Sequence, residues 1–118
     1  MVPDVELKVS SQYRADHALV TVNGEIDLYT APQLNRELAD AISGSPHLVV
    51  DLAQVDFCDS TGMNVLLAAM KRSRERGGSF VLLAPRPAVR KILQVTGLDG
   101  VFSVYDSLDD LPAAARAT

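Results

Sequence analysis

Residues 48–70 constrain the fold more than any other part of this chain. They begin with Leu48-Val49-Val50-Asp51-Leu52, a short apolar and β-branched run that is typical of a buried strand. After an acidic segment, residues 51–62, apolar side chains recur at helical spacing, namely Met63, Leu66, Leu67 and Met70. The sequence therefore predicts a strand that leads into a helix through a tight acidic turn.

Asp59, Ser60 and Thr61 stand where this helix is expected to begin. Side-chain oxygens at a helix start accept hydrogen bonds from backbone N–H groups that have no partner within the helix. One such cap stabilises a helix by about 1 kcal/mol, and this role alone could account for the residue types. The pattern predicts an exposed Ser60 in the first helical turn.

The surroundings of Ser60 hold more acidic side chains than a helix cap needs. Asp56 belongs to the same turn, and Glu25 and Asp27 follow a strand that could end at the same edge of the sheet. Phosphorylation would add about −1.5 to −2 charges, which a helix N-terminus tolerates and nearby carboxylates repel. A partner that covers the neutral hydroxyl would then meet a dianion, and burying an unpaired charge costs on the order of several kcal/mol. A hydroxyl at this position would therefore be a suitable switch for an interface.

The N-terminal part of the chain predicts a hairpin. Residues 5–9 alternate apolar and polar side chains, which is typical of an edge strand with one face in water. Residues 10–12 are interpreted as a turn and residues 18–22 as the antiparallel partner strand, which Asn23-Gly24 would end.

Two capping patterns predict further helices. Thr30 and Gln33 have the spacing of a capping box before a helix that would end at Gly44. The apolar face of that helix would consist of Leu34, Leu38, Ala41 and Ile42. Ser107 and Asp110 repeat the pattern at the start of a segment over residues 107–115, in which Pro112 lies deep for a regular helix.

Strands and helices alternate through the second half of the chain. The helix after Ser60 ends in a basic cluster, residues 71–76, which complements the helix dipole; we favour this role over a phosphate-binding patch. Residues 80–84 predict a strand, residues 85–97 a helix closed by a glycine, and residues 101–105 a last strand.

These elements predict a single α/β domain over residues 1–118, with a mixed, mostly parallel sheet of about five strands and about four helices. Residues 5–111 would form the core, and residues 112–118 a frayed tail. The length of 118 residues and the hydrophobic content of 47% suit one domain with one core.

Composition argues against several classes of protein. With 11 Lys and Arg against 15 Asp and Glu, the formal charge of −4 disfavours a nucleic-acid partner. No stretch approaches the ~20 apolar residues of a membrane span, and the acidic N-terminus is unlike a signal peptide, so we expect a cytoplasmic protein. The single cysteine, Cys58, excludes an intrachain disulfide and a thiolate metal cage.

The residue inventory disfavours catalysis. His17 and His47, the only histidines, stand beside predicted strand starts, where we expect surface or strand-end roles. Ser60 lacks a Gly-x-Ser-x-Gly elbow, and the chain lacks a phosphate-binding glycine loop, a dinucleotide fingerprint and metal-ligand spacing. Cys58 is interpreted as a packing residue rather than a redox thiol. We expect no cofactor, no metal and no enzymatic activity; covalent catalysis at Ser60 or Cys58 ranks last among the hypotheses.

Three motifs in register resemble a known family. They are Asp59-Ser60-Thr61-Gly62 after an apolar strand, Gly24-Glu25-Ile26-Asp27 before Thr30-Ala31-Pro32, and Gly77-Gly78 before Pro85 and Val95-Thr96-Gly97-Leu98. Over roughly residues 5–111, the chain resembles the STAS family, specifically the bacterial anti-sigma-factor antagonists.

The resemblance implies a partner-switching protein. Unphosphorylated members of that family bind an anti-sigma factor that is also a serine kinase with a GHKL-type ATP site, and so free the sigma factor. The kinase phosphorylates the serine that matches Ser60, the modified antagonist dissociates, and a PP2C-type phosphatase restores it. Asp27 and Asp59 match acidic positions around the phosphoacceptor. Thr61 matches a neighbouring hydroxyl that is a second acceptor in some related proteins.

The expected phosphosite surroundings and partner-binding surface comprise Ser60 with Glu25, Asp27, Thr30, Asp56, Asp59, Thr61, Gly62, Met63 and Asn64. Many relatives have Leu-Gly where this chain has Met63-Asn64. Met63 preserves an apolar contact, and Asn64 adds a polar side chain close to the expected docking surface. An exposed apolar patch around Met63 and Val65 would serve a partner or a weak homodimer, so a monomer and a weak homodimer both stay open. The alternative function is a STAS scaffold or ligand-sensing module that is not phosphorylated.

Overall fold

The central element of the sheet is β3, His47–Cys58, the third of five strands in the order β1-β2-β3-β4-β5. The computed structural model describes residues 7–111. The predicted strand over residues 48–52 forms the most deeply buried part of β3. The tight acidic turn predicted between this strand and the helix is present, but it is limited to Asp59, because the strand continues through the acidic segment to Cys58. β2 runs beside it over this length and supplies the backbone partners that keep the acidic segment in the sheet.

β1, Lys8–Tyr13, and β2, Ala18–Ile26, form the predicted antiparallel hairpin, with β1 at the edge of the sheet. The turn predicted at residues 10–12 is wrong, because these residues pair with β2. The start of the predicted first strand, Val5 and Glu6, lies outside the described residues.

β2 also continues through Asn23 and Gly24, so the break predicted there is wrong. The register between β2 and β3 shifts on both sides of this pair. Gly24 has a φ of 126°, which only glycine adopts without strain. The sequence signal therefore marks a bulge inside the strand rather than its end.

β4, Ser79–Leu83, and β5, Ser103–Tyr105, complete the sheet, and each is parallel to its neighbour. The β2–β3 pair is parallel as well, which confirms the mixed, mostly parallel sheet. β5 is shorter than predicted, because the N–H groups of Val101 and Phe102 both donate to the carbonyl oxygen of Leu98 instead of to a strand.

The helical part of residues 7–111 consists of three α-helices and two 3₁₀ turns, close to the predicted four helices. The bounds are Ala31–Gly44 for α1, Ser60–Glu75 for α2 and Pro87–Thr96 for α3, with 3₁₀ turns at Leu98–Gly100 and Leu108–Asp110. The predicted apolar face of α1 is buried. α2 carries Arg72 and Arg74 in its last turn, as the helix dipole favours. Gly97 closes α3 in the left-handed conformation, with a φ of 75°.

Neither predicted capping box caps a helix in the expected way. Thr30 is the N-cap residue of α1 but makes no side-chain capping bond, and the Gln33 amide donates to the carbonyl oxygen of Leu7 at 2.8 Å. The hydroxyl of Ser107 lies 3.3 Å from a carboxylate oxygen of Asp110, in a segment that forms a 3₁₀ turn. The rest of the helix predicted to residue 115, and the tail over residues 112–118, lie outside the described residues.

Alternate residues of the strands contribute to two hydrophobic clusters. Val20, Val50 and Leu82 pack with the buried residues of all three α-helices in the larger cluster. Val49 belongs to the smaller cluster, together with Leu111 near the end of the described chain. Because successive strand residues point to opposite faces, the three helices cover one face of the sheet and Leu111 lies on the other. Within residues 7–111, no helix has the length and apolar character needed to cross a membrane.

The two histidines differ in their surroundings. His17 directly precedes β2, which agrees with a strand-end role; it is only 5% exposed, so it is not a surface residue, and its Nδ1 atom lies 2.8 Å from the Asp16 carboxylate. His47 is the first residue of β3 and is half-buried, with Nδ1 3.0 Å from the hydroxyl of Ser79, which agrees with a strand-end role.

Candidate functional site

The carboxyl ends of β2 and β3 meet at one edge of the sheet, as the sequence predicts. Ile26 pairs with Cys58 at the ends of the two parallel strands. Immediately beyond, the N–H of Asp59 donates to the carbonyl oxygen of Ile26 at 3.1 Å. The β2–α1 loop, residues 27–30, and the start of α2 therefore lie side by side at this edge.

The start of α2 has the predicted geometry. Asp59 is the N-cap residue in an extended conformation, and its carboxylate oxygen Oδ1 accepts a hydrogen bond from the N–H of Gly62 at 2.9 Å. Ser60, the first residue of the helix, is exposed, and Thr61 is half-buried. This confirms the expectation of an exposed serine at a capped helix start.

Asp27 organises the β2–α1 loop. Its Oδ1 atom accepts hydrogen bonds from the N–H groups of Tyr29 at 2.9 Å and Thr30 at 3.0 Å. The Thr30 hydroxyl is buried, donates to the carbonyl oxygen of Glu25 at 2.8 Å and accepts from the N–H of Asp27 at 2.9 Å. Asp27 and Thr30 therefore fix the backbone of the loop, and Glu25 remains exposed beside it.

The fixed loop holds large apolar side chains in water. Tyr29 is 83% exposed and Leu28 is 64% exposed. Phe57, near the end of β3, is 44% exposed at the same edge of the sheet. None of these three residues is among the site residues predicted from the sequence. Their apolar character in a polar loop and at a strand end was the available signal.

Asp56 is exposed and lies within β3 rather than in a turn. Its carboxylate pairs with the guanidinium of Arg86, the residue that precedes α3. The Arg86 Nε–H also donates to the carbonyl oxygen of Ala53 at 2.9 Å. In the structure, Asp56 thus joins β3 to the start of α3.

Gly62 lies where α2 packs against the ends of β2 and β3. A Cβ atom at this position would stand 2.5 Å from the Cγ2 of Ile26 and 2.7 Å from the sulfur of Cys58. Met63 is 2% exposed, so the exposed apolar patch predicted around Met63 and Val65 is wrong. Asn64, one position further, is exposed as expected for the docking surface.

Cys58 behaves as the packing residue that the sequence predicts. It is 1% exposed. Burial is the larger cause, and the negative charge of Asp59 the smaller, that together raise the pKa of its thiol to about 12. The thiol is therefore neutral near pH 7, which disfavours a role as a nucleophile or a redox centre.

A groove runs between α2 and α3 and includes Ser60 among its lining residues. We call it the α2–α3 groove; its volume is about 830 Å³. Its α2 side is formed by the first two turns of the helix, with Ser60, Met63, Asn64 and Leu67. Its α3 side is formed by Ala88, Lys91, Ile92, Val95 and Thr96. The surface next to Ser60 is thus concave and largely apolar.

The arrangement suits binding and modification. The Asp59 carboxylate caps α2 directly before the exposed Ser60, and Glu25 and Asp27 lie at the end of the neighbouring strand. Residues 7–111 contain no group of His, Cys, Asp and Glu that could hold a metal ion. The predicted site residues from β2, the loop and α2 are brought together at one edge of the sheet. The α2–α3 groove extends this surface.

Known proteins are similar to this chain in sequence and in fold. The STAS domain family model matches residues 8–111. The crystal structure of an anti-sigma factor antagonist from Mycobacterium paratuberculosis is 33% identical and has a TM-score of 0.84, over 98% of this chain and 99% of that one. The anti-sigma-B factor antagonist of Listeria monocytogenes is 33% identical over 90 residues, which are 75% of this chain and 79% of the relative.

The anti-sigma factor antagonist SpoIIAA shares the fold at 22% identity. Its unphosphorylated form has a TM-score of 0.77 over 94% of this chain and 98% of that one. The phosphorylated form, from Bacillus, has a TM-score of 0.67 over 87% of this chain and 95% of that one. Sequence and fold lead to the same assignment: the chain belongs to the STAS domain family.

Proposed function

We propose that this protein is an anti-sigma-factor antagonist controlled by phosphorylation of Ser60. The unphosphorylated form binds an anti-sigma factor that is also a serine kinase, and the sigma factor is released. Phosphorylation by that kinase then abolishes binding. The observation that carries this proposal is the exposed Ser60 directly after the Asp59 cap, at the edge where the β2–α1 loop and α2 meet.

The electrostatics of this edge support a switch that leaves the fold intact. A phosphate on the first residue of α2 would lie at the positive end of the helix dipole, which stabilises a negative charge. Its dianion would also stand beside the Asp59 carboxylate, which is already engaged by the N–H of Gly62. Phosphate therefore adds a concentrated charge to a surface that is otherwise rich in apolar side chains, and a partner that covers this surface would have to desolvate that charge.

The relatives support the proposed class of partner. The proteins from Mycobacterium and Listeria are named as anti-sigma factor antagonists, and SpoIIAA is known in phosphorylated and unphosphorylated forms. We extend this to a GHKL-type kinase as the partner, a PP2C-type phosphatase as the enzyme that restores the protein, and the cytoplasm as its location. In this proposal the protein is a regulator without an enzymatic activity of its own, and it is a monomer or a weak homodimer.

Each proposed site residue has a defined place in this function. Ser60 accepts the phosphate, and Thr61, which is half-buried, is a secondary acceptor. Asp27 and Thr30 hold the β2–α1 loop in its binding conformation. The exposed residues Glu25 and Asn64 face the partner. The remaining residues support the phosphosite by capping, packing or charge, namely Asp56, Asp59, Gly62 and Met63.

A phosphorylation assay tests this proposal. The purified protein is incubated with ATP and an extract of its host, and the phosphate is located by fragment mass spectrometry, with Ser60→Ala and Thr61→Ala as matched controls. We expect phosphate on Ser60 in the wild type and in Thr61→Ala, and none at this position in Ser60→Ala. An extract that modifies another antagonist but leaves this protein unmodified would contradict the proposal and favour the unphosphorylated scaffold.

A further inference from the structure

The two sides of the α2–α3 groove are rows of residues at helical spacing. On α2 the row consists of Ser60, Asn64 and Leu67, and on α3 it includes Ala88, Ile92 and Val95. Residues at i, i+4 and i+7 form one face of a helix, and two such rows, each about two turns or ~10 Å long, line the two sides of the groove. A third helix packs into a groove of this shape through apolar residues of the same spacing.

The C-terminal end of the α3 row, at Val95, is exposed to water. Val95 is 77% exposed, although it lies beside Ile92, which is partly buried against the main core. Val95 therefore extends the apolar lining of the groove out to its rim, and contiguous apolar surfaces of this kind are typical of binding sites. The groove of about 830 Å³ is large enough to take several side chains of one helix face.

The basic side chains around the groove indicate the charge expected on a helix that binds there. Arg86 and Arg90 flank α3 but are engaged, by the carboxylates of Asp56 and Asp106 respectively. Lys91 lies on the groove itself and forms no ion pair with any residue in the described part of the chain. The α3 side of the groove therefore presents an available positive charge, which an acidic side chain of the partner complements.

We infer that the α2–α3 groove receives an amphipathic helix of the protein partner. Its apolar residues, spaced at i, i+3 or i+4 and i+7, pack against Leu67, Ile92 and Val95, and an acidic residue lies next to Lys91. The identity of that partner as an anti-sigma factor rests on the proposed function. Ser60 lines the groove, so a phosphate on Ser60 would place a dianion where the partner helix packs. Phosphorylation would therefore weaken docking in the groove.

The test uses the anti-sigma factor of the same host and measures its affinity for four variants by calorimetry. Val95→Glu places a charge in the groove, and we expect its affinity to fall about tenfold or more. Lys91→Glu reverses the charge of the rim, and we expect a loss of about threefold to tenfold that shrinks at high salt. Gln94→Glu is the matched control, because Gln94 is exposed on α3 beside Val95 but does not line the groove; it should stay within about twofold of the wild type.

Ser60→Asp, the fourth variant, separates this inference from the proposed function. If Ser60→Asp weakens binding while Val95→Glu and Lys91→Glu do not, the groove is not the docking site and the proposed switch stands. If the groove variants weaken binding and Ser60→Asp does not, the groove is confirmed and the switch is wrong. If the anti-sigma factor binds none of the proteins, including the wild type, both are overturned.

Two further outcomes would assign the groove to a different occupant. Native mass spectrometry of the protein as purified would reveal a small apolar molecule whose retention depends on Val95. Sedimentation of the wild type and Val95→Glu would reveal a homodimer that the substitution dissociates. Either result, with an unchanged affinity for the anti-sigma factor, overturns the inference. If the unfolding curves of Val95→Glu and Gln94→Glu match that of the wild type, misfolding is excluded as the cause of a loss of affinity.

Discussion

The backbone N–H of Asp59 donates a hydrogen bond of 3.1 Å to the carbonyl oxygen of Ile26. This bond continues the pairing of two parallel strands by one step and ties the start of α2 to the end of β2. Ser60 follows directly and begins α2 at the edge of the sheet where β2 ends. Leu28 and Tyr29, in the loop that follows β2, are exposed as well.

Asp59→Ala removes the cap of α2. The N–H of Gly62 loses its side-chain acceptor, and we expect the free energy of unfolding to fall by about 1 kcal/mol. Urea denaturation followed by circular dichroism measures this. Asp109→Ala, at an exposed position of a 3₁₀ turn, is the control and should change stability by less than about 0.5 kcal/mol. Equal effects of the two substitutions would contradict the capping role.

Gly62→Ala introduces a methyl group where α2 meets the strands. The new Cβ would lie 2.5 Å from the Cγ2 of Ile26, so the helix start must shift, and we expect a loss of roughly 1–3 kcal/mol although alanine favours a helix by about 1 kcal/mol. Gly100→Ala is the matched control, because a Cβ there meets nothing within 4 Å. A Gly62→Ala protein that is as stable as Gly100→Ala in urea would show that this contact is loose.

Thr30→Val keeps the size of the side chain and removes its hydroxyl. The N–H of Asp27 and the carbonyl oxygen of Glu25 then lose their partner, which should cost roughly 1–2 kcal/mol of stability. Amide hydrogen exchange should also become faster in the β2–α1 loop. Thr96→Val is the control, since that hydroxyl donates only to carbonyl oxygens within α3. Unchanged exchange in the loop of Thr30→Val would count against its organising role.

Because the thiol of Cys58 is buried, we expect the free energy of unfolding to fall at alkaline pH. The pKa of its thiol is about 12 in the folded protein against an ordinary value of 9.0, so above pH 9 the unfolded chain releases a proton that the folded chain keeps. Stability from this group is complete below pH 9 and is lost as pH rises towards 12. Between pH 8 and pH 10, the wild type should lose roughly 1 kcal/mol more stability than Cys58→Ala. Parallel stability profiles of the two proteins would contradict the raised pKa.

Local patterns predicted the fold where the information was local. The apolar run at residues 48–52, the helical spacing in α1 and the closing Gly97 all gave correct elements. The length of β3 was not predictable in this way, because its acidic second half is held in the sheet by β2, which is distant in sequence. The strand end predicted at Gly24 was wrong because a bulge inside a strand and the end of a strand have the same local sequence signal.

The same distinction between local and long-range contacts separates the site residues that were predictable from those that were not. Asp59 and Ser60 were predictable because capping is a contact between neighbours in sequence. Thr30 and Gln33 fitted a capping pattern, yet Gln33 bonds to Leu7, a contact between separate elements. The α2–α3 groove depends on how two helices pack on one sheet, so Val95 carried no sign of it in the sequence.

Control of partner binding by Ser60 is tested by the affinity of the anti-sigma factor for this protein before and after phosphorylation of that residue. Calorimetry on the two forms, with Ser60→Ala treated in the same way, isolates the effect of the phosphate. We expect phosphorylation to weaken binding by about a hundredfold or more, Ser60→Ala to bind like the unmodified protein, and a phosphatase to restore binding. Equal affinity of the phosphorylated and unphosphorylated forms would rule out Ser60 as the switch.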